Sequence, residues 1–344
     1  MKSVQLVAPR TMEVCEMSAP PDPGPGEVMV RVRAVGICGS DMHWYLEGCI
    51  GAHAAVYPQV LGHEPAGEIV AVGRGVESVR AGQKVAIEPA ITCGCCELCR
   101  SGRHNNCLTS IFMGTPQMPG LFRELAVVPA RNVVAAPEHM GFVEATLIEP
   151  LAVILHILEL TEIRLGDTVA VLGAGPIGLL TAAVARIAGA SRVFVGDKVA
   201  HRVDMARNMG ACAVNMREAS FVEAVRDQTS GRGVDVVFDA AAAAETMDAA
   251  IAVARSGGRV VLIGIPAGRH PRVDVHAAMA KELSLHTVKR SNHNAHGAIE
   301  LLESGRIDWR LITHRYGLEQ TPHAFETLAE YADGVGKAVI EIPA

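Results

Sequence analysis

The sequence has no uninterrupted apolar run long enough to cross a bilayer as a helix, although 49% of its 344 residues are hydrophobic and its mean hydropathy is +0.25. That apolar surface is expected inside soluble cores, and the length suits two domains that each bury their own. An extended Lys/Arg block is also missing. With 31 basic against 37 acidic residues and a net charge of -6, the chain lacks the basic footprint that nucleic-acid phosphates need. Met1-Lys2-Ser3 runs straight into the alternating Val4-Gln5-Leu6-Val7, without the apolar core of a secretion signal. There is no internal repeat, and Ala240 to Ala244 is the one low-complexity tract. Cysteine, by contrast, is plentiful: nine residues, five of them clustered, which fits a reducing cytoplasm where thiols serve metals.

The cluster reads Cys93-x-x-Cys96-x-x-Cys99-x7-Cys107. Four thiolates at such spacings can close a tetrahedron around zinc with no open position, which is a structural site. A disulfide framework is the competing reading, and it belongs to small secreted scaffolds rather than to a chain of this size. Cys95 could replace Cys96 in the register, but Cys96 keeps even gaps on both sides, so Cys95 is expected to be a free thiol. A second group, Cys38 with Gly62-His63-Glu64, mixes one sulfur, one imidazole and a carboxylate. Such a set leaves a coordination position free for water or substrate, as a catalytic zinc requires, so two zinc ions per chain are expected.

The first 150 residues read as short strands broken by turns: Pro20 to Glu27 is a rigid turn, and Val28 to Val35, Glu68 to Gly73 and Lys84 to Ile87 alternate as half-buried strands. From Leu151 the texture becomes α/β, with long apolar stretches that suggest parallel strands covered on both faces. Strands are expected at 168–172, 192–195, 234–238 and 259–263, with helices at 179–188 and 201–209 between the first of them. A last alternating strand spans 337–342.

Gly173-Ala174-Gly175-Pro176-Ile177-Gly178 follows the first of these strands and opens a helix. The first glycine makes the turn, the second lets backbone approach a pyrophosphate at the helix N-terminus, and the third lets helix pack on strand. Asp197, 19 residues after Gly178, is placed to bind a ribose diol and to repel a 2'-phosphate, which favours NAD over NADP. Arg202 is the counterweight, because a guanidinium near that ribose could accept a phosphate.

Taken together, Gly36 to His43, Gly62-His63-Glu64, the four cysteines, Ile148-Glu149-Pro150-Leu151 and Gly173 to Gly178 resemble the zinc-dependent medium-chain alcohol dehydrogenases. Val85 to Pro89 and Glu149-Pro150 are most similar to the sorbitol and polyol members. The resemblance covers essentially the whole chain. It implies a GroES-like β-rich catalytic domain at 1–150 and 287–344 carrying both zinc sites, and a Rossmann doubly wound parallel-sheet domain at 151–286 that binds NAD. By the same resemblance Cys38, His63 and Glu64 hold the catalytic zinc, with Glu64 otherwise orienting the other ligands, and Glu149 either binds the metal or holds its water. Ser40 and His43 are implied as a proton relay. Gly173 to Gly178, Asp197, Arg202, Ile263, Gly264, Ile265, Val288, Lys289 and Arg290 are implied around the cofactor, and Trp44, Glu149 and Arg290 around the substrate. A homo-oligomer, dimer or tetramer, is the expected assembly.

Two positions depart from the polyol pattern. An Arg-Tyr pair is represented by Arg290-Ser291, and the aromatic after His43 is Trp44, which donates but cannot accept a hydrogen bond. A secondary alcohol with a neighbouring polar group, such as a polyol, remains the expected substrate, with threonine dehydrogenases as competitors on the same motifs. A zinc-less reductase relative and a zinc-ribbon interaction module are disfavoured by Cys38-His63-Glu64 and by the acidic charge. His156, on the helix face of Glu149, reads as structural, Cys49 as a loop residue, and Cys15 and Cys212 as packing residues.

Overall fold

The computed structural model describes residues 1–268 and 270–343; residues 269 and 344, inside the expected domain ranges, lie outside the described residues. The chain divides into two compact units: Met1–Val153 with Arg290–Gly305 and Ile312–Ala344, and Ile154–Lys289 with Arg306–Leu311.

The first unit is built on an antiparallel sheet whose spine is Glu27–Gly36. Alternation along this strand buries Val28, Val30 and Val32 completely and turns Arg31 outward, the pattern of a strand with one face on a core. Glu64–Val72 and Leu125–Pro129 pair with it antiparallel, and so does Lys337–Glu341, which arrives from the far end of the chain. Lys84–Ile87 and Val133–Ala135 extend the sheet on one side, and Ile312–Gly317 extends it on the other by pairing parallel with Lys337–Glu341. Side chains from these strands share one core with Leu61, Phe122 and Phe325. The expected strand at 84–87 is observed with those bounds, and that at 337–342 ends one residue earlier.

The second unit holds a six-stranded parallel sheet in the spatial order Cys212–Asn215, Arg192–Asp197, Thr168–Leu172, Val234–Asp239, Ala254–Leu262, Ser284–Thr287. Numbered along the chain this is 3-2-1-4-5-6, the Rossmann order. Val234–Asp239 is buried at every residue, as a central strand covered on both faces must be. The sequence pattern found four of the six strands. Cys212–Asn215 and Ser284–Thr287 are four-residue edge strands, too short to show a period.

Candidate active site

Glu27–Gly36 delivers Cys38 to the N-terminus of the helix Gly39–Glu47, where Cys38 is the extended capping residue. His63 and Glu64 lie at the start of Glu64–Val72, in register with the end of the first strand: Glu64 is the partner of Gly36. One ligand atom each from Cys38, His63 and Glu64 lies within 4.8 Å of the others, a span that zinc bonds of about 2.0–2.3 Å can close after small side-chain shifts.

The partners of these groups say how each is held. Asp41, fully buried, accepts hydrogen bonds from the Cys38 N–H at 3.0 Å and the Gly62 N–H at 3.1 Å, and its Oδ1 lies 3.4 Å from His63 Nδ1. A carboxylate on one ring nitrogen fixes the ring and leaves Nε2 for a metal. Burial opposes a charged imidazole, but Asp41 and Cys38 outweigh it and raise the His63 pKa well above its ordinary value, so metal binding must displace a proton. Glu64 is paired with Lys337, and the same ammonium donates to the Ile37 carbonyl at 2.9 Å. Gly36 has no side chain because the Glu64 carboxylate fills that space.

Asp41 and Lys337 were not among the residues expected at this site. Asp41 had a signal, since a carboxylate three residues after a helix-capping position commonly bonds back to the cap. Lys337 had none, because 273 residues separate it from Glu64.

Ser40 Oγ lies 3.3 Å from His63 Nε2, and His43 Nδ1 lies 3.0 Å from Glu47 Oε1 on the more exposed side of the same helix. Trp44 packs in the core at 4% exposure. Glu149 opens the helix Ile148–Leu160; burial pushes its carboxyl up to about 7, with His63 opposing and Glu64 adding. It lines a cavity with Glu88, Pro89, Thr92, Phe112 and Arg290. The Arg290 guanidinium stacks 4.0 Å from the Phe112 ring centroid, and its Nη1 is buried with no hydrogen-bond partner among the described residues. Arg290 and His293 both hold left-handed backbone, φ 57° and 63°, which costs a non-glycine residue about 1–2 kcal/mol.

The cysteine lobe brings Cys93, Cys96, Cys99 and Cys107 together and leaves Cys95 outside, exposed. Cys93 Sγ lies 3.5 Å from Cys107 Sγ and 4.0 Å from Cys99 Sγ, around the roughly 3.8 Å edge of a zinc–thiolate tetrahedron. The N–H groups of Cys95 and Cys96 bring the Cys93 thiol down to about 5, whereas burial pushes Cys99 up to about 12. A cation is therefore needed before all four ionise.

In the second unit, residues 173–178, 197, 263–265 and 288–289 all sit at the C-terminal ends of the parallel strands, and Arg202 lies in the first turn of the helix after Asp197. This is the edge where open α/β sheets bind ligands. Gly173 has φ 94°, and a Cβ on Gly178 would meet the Gly173 carbonyl at 1.8 Å. Gly175 differs: its Cβ would meet only Arg202 Nη1, at 3.7 Å, so no protein group requires a glycine there. The space suits a close-lying pyrophosphate. Asp197 is oriented by the N–H groups of Ala174, at 2.6 Å, and Val199, at 2.7 Å.

His156 bonds Glu159 at 3.0 Å, and Cys49 lies in a two-residue strand paired with His53–Ala54. No helix among the described residues is long and apolar enough to cross a membrane.

Residues 24–138 match the alcohol dehydrogenase GroES-like domain, and residues 176–304 match the zinc-binding dehydrogenase domain. Over 322 residues, 93% of this chain and 91% of its relative, the sequence is 37% identical to sorbitol dehydrogenase of Bacillus subtilis (strain 168). The chain belongs to the zinc-dependent medium-chain alcohol dehydrogenases. Two solved proteins are similar in structure, each with a TM-score of 0.90 and 32% identity. One is a short chain alcohol dehydrogenase from E. coli CFT073 complexed with NADH, with 99% of each chain covered. The other is a zinc-binding dehydrogenase from Sinorhizobium meliloti 1021 bound to NADP, with 99% of this chain and 98% of that one covered. Membership makes this protein a zinc-dependent oxidoreductase, and Cys38-His63-Glu64 and Cys93-Cys96-Cys99-Cys107 are the two groups among the described residues that could hold metal.

Proposed function

We propose that this protein oxidises sugar alcohols and other vicinal diols at a secondary carbon, giving a ketose or hydroxyketone, with NAD as hydride acceptor. The observation that carries the reading is one cavity lined by both Glu149 and Arg290, in the unit that holds Cys38, His63 and Glu64. A carboxylate and a guanidinium supply acceptors and donors for hydroxyls next to the reacting one, and a substrate without them leaves these groups unpaired. Relatives named sorbitol dehydrogenase and L-arabinitol 4-dehydrogenase support the class.

In this reading residues 1–150 and 287–344 form the catalytic domain and 151–286 the NAD-binding domain. Cys38, His63 and Glu64 would hold a zinc ion, which would supply the Lewis acidity that lowers the pKa of an alcohol, and NAD would supply the hydride acceptor. Asp41 keeps His63 in the ligating orientation, and Lys337 holds the Glu64 carboxylate in place through their buried ion pair. Ser40 takes the alcohol proton and His43 passes it toward solvent. Glu149, near neutrality in its proton affinity, holds a water or substrate hydroxyl. Asp197 accepts from the ribose diol. The protein acts in the cytoplasm as a homo-oligomer; the exposed Val275, Met279 and Leu285 at one edge of the parallel-sheet unit support self-association.

A screen of NAD reduction by the zinc-loaded enzyme tests the class. Sorbitol, xylitol or 2,3-butanediol should exceed 2-butanol at least about tenfold in kcat/KM, as unpaired buried polar groups require. Threonine turning over better than every polyol would replace the reading with a hydroxy-amino-acid dehydrogenase.

A further inference from the structure

Arg290 lies at the start of a short segment that returns to the β-rich unit, and the next residues are tied to the cysteine lobe. Asn292 Nδ2 donates to the Gly102 carbonyl at 2.8 Å, and Asn292 Oδ1 accepts from the Asn105 N–H at 3.4 Å. The His293 ring meets the His104 ring edge to face at 4.4 Å, and His293 Nδ1 bonds Glu88 Oε2 at 3.0 Å. Gly102, His104 and Asn105 all lie between Cys99 and Cys107, inside the loop that the four sulfurs close.

We infer that the four-cysteine lobe is a positioning element for substrate recognition, acting through Asn292 and His293 to hold the Arg290 guanidinium on Phe112 at the cavity. This rests on the polyol reading for the ligand that Arg290 meets. Three observations converge. Left-handed backbone at both Arg290 and His293 persists only where the surroundings over-determine it, and the contacts to the lobe do so. Asn292 and His293 also edge the cavity, but the amide of Asn292 and Nδ1 of His293 are engaged by the lobe and Glu88. Arg290 is the opposite case, with a buried Nη1 that no described protein group accepts from. The contacts of Asn292 and His293 thus place an unsatisfied donor whose position is set by neighbours rather than by hydrogen bonds of its own Nη1. Fixing a donor in its bound position lowers the ordering cost of recognition, so loosening it raises KM before it lowers kcat.

The test is a double-mutant cycle on the zinc-loaded enzyme, with elemental analysis to check that the zinc content of every variant equals wild type. Asn292→Ala should raise KM for 2,3-butanediol at least about tenfold with kcat within about threefold, and should lower the ratio of diol to 2-butanol kcat/KM. His293→Gln, which can still donate to Glu88, should retain most of that ratio, whereas His293→Ala should not. In an Arg290→Ala background, Asn292→Ala should change the ratio by less than about twofold, because it acts through a group already removed. Additive losses, or a fall in kcat without a rise in KM, would overturn the inference. Independently of substrate, hydrogen exchange in the peptide spanning 288–296 should quicken in Asn292→Ala while the lobe peptides stay unchanged; unchanged exchange there also overturns it. A wild-type enzyme with no preference for diols refutes the polyol reading alone, since the exchange measurement still decides the clamp.

Discussion

A methyl group on Gly36 would lie 2.2 Å from Glu64 Oε2 and 3.0 Å from Lys337 Cε, in a place where neither partner can yield without breaking the buried ion pair. Gly36→Ala should therefore displace Glu64. Overpacking costs about 1–3 kcal/mol of stability, but the larger expected effect is loss of the mixed-ligand zinc and of turnover while the four-thiol zinc stays. Elemental analysis reads this as a fall to about one zinc per chain; full zinc content in an active variant would contradict it. Asp197 is the other residue-scale test. Its carboxylate is pinned by two backbone N–H groups, so it cannot swing away from a 2'-phosphate. Asp197→Ala should narrow the NAD-to-NADP ratio of kcat/KM more than tenfold, about 1.4 kcal/mol. A wild type that already prefers NADP would overturn the NAD assignment.

Between elements, the pair of strands at the centre of the parallel sheet is fastened at its beginning by one carboxylate. Asp235 accepts from the Thr168 N–H at 2.9 Å and the Thr168 hydroxyl at 2.8 Å, and it pairs with Arg232 at 2.6 Å and Arg255 at 2.7 Å. Burial pushes this carboxyl up, but the guanidiniums and Thr168 outweigh it and hold it well below the usual carboxylate range. Breaking a buried pair costs about 3–5 kcal/mol, and the partial exposure of both arginines reduces that to about 2 kcal/mol for Asp235→Asn. Because the folded-state pKa is depressed, the contribution is complete above the unfolded carboxylate pKa, about 4, and fades as pH falls below it. Urea midpoints of wild type and variant should thus differ most at neutral pH, and the gap should begin to narrow only below about pH 4. A gap that widened with acid would contradict the assignment.

Across the whole molecule, the β-rich unit is assembled from three stretches of chain, and its strand Lys337–Glu341 both pairs with Glu27–Gly36 and brings the Lys337 ammonium to Glu64. Lys337→Met would leave Glu64 as a buried carboxylate without its cation. Removing one partner of such a pair costs about 3–5 kcal/mol, and zinc binding at Cys38-His63-Glu64 should weaken with it. The two zinc sites should also separate in their effects on the whole fold. Cys99→Ser should lower the Tm and the zinc content together, because on the proposed assignment four sulfurs closed around one ion would hold that lobe together. Cys38→Ser should abolish turnover and leave the Tm close to wild type. Equal Tm losses in the two variants would mean that both metals are structural.

What could be read in the sequence was local. The four thiols of Cys93 to Cys107 and the glycines of Gly173 to Gly178 are legible in their spacing, because a thiolate tetrahedron or a phosphate turn can be built from groups a few residues apart; Cys38 stands 25 residues before His63, and the fold is what brings their ligand atoms within 4.8 Å. Long strands such as Glu27–Gly36 were visible for the same reason, since a period of two shows itself over ten residues but not over the four of Ser284–Thr287. Tertiary structure decided whatever depends on residues far apart in the chain. It buried Trp44 in the core, set Asp41 against His63, and brought Lys337 to Glu64 across 273 residues. It also fastened Asn292 and His293 to a lobe some 190 positions earlier, at Gly102 and His104. Contacts of that kind arise from sheet closure and packing, which join residues by their place in space, so no periodicity or motif announces them.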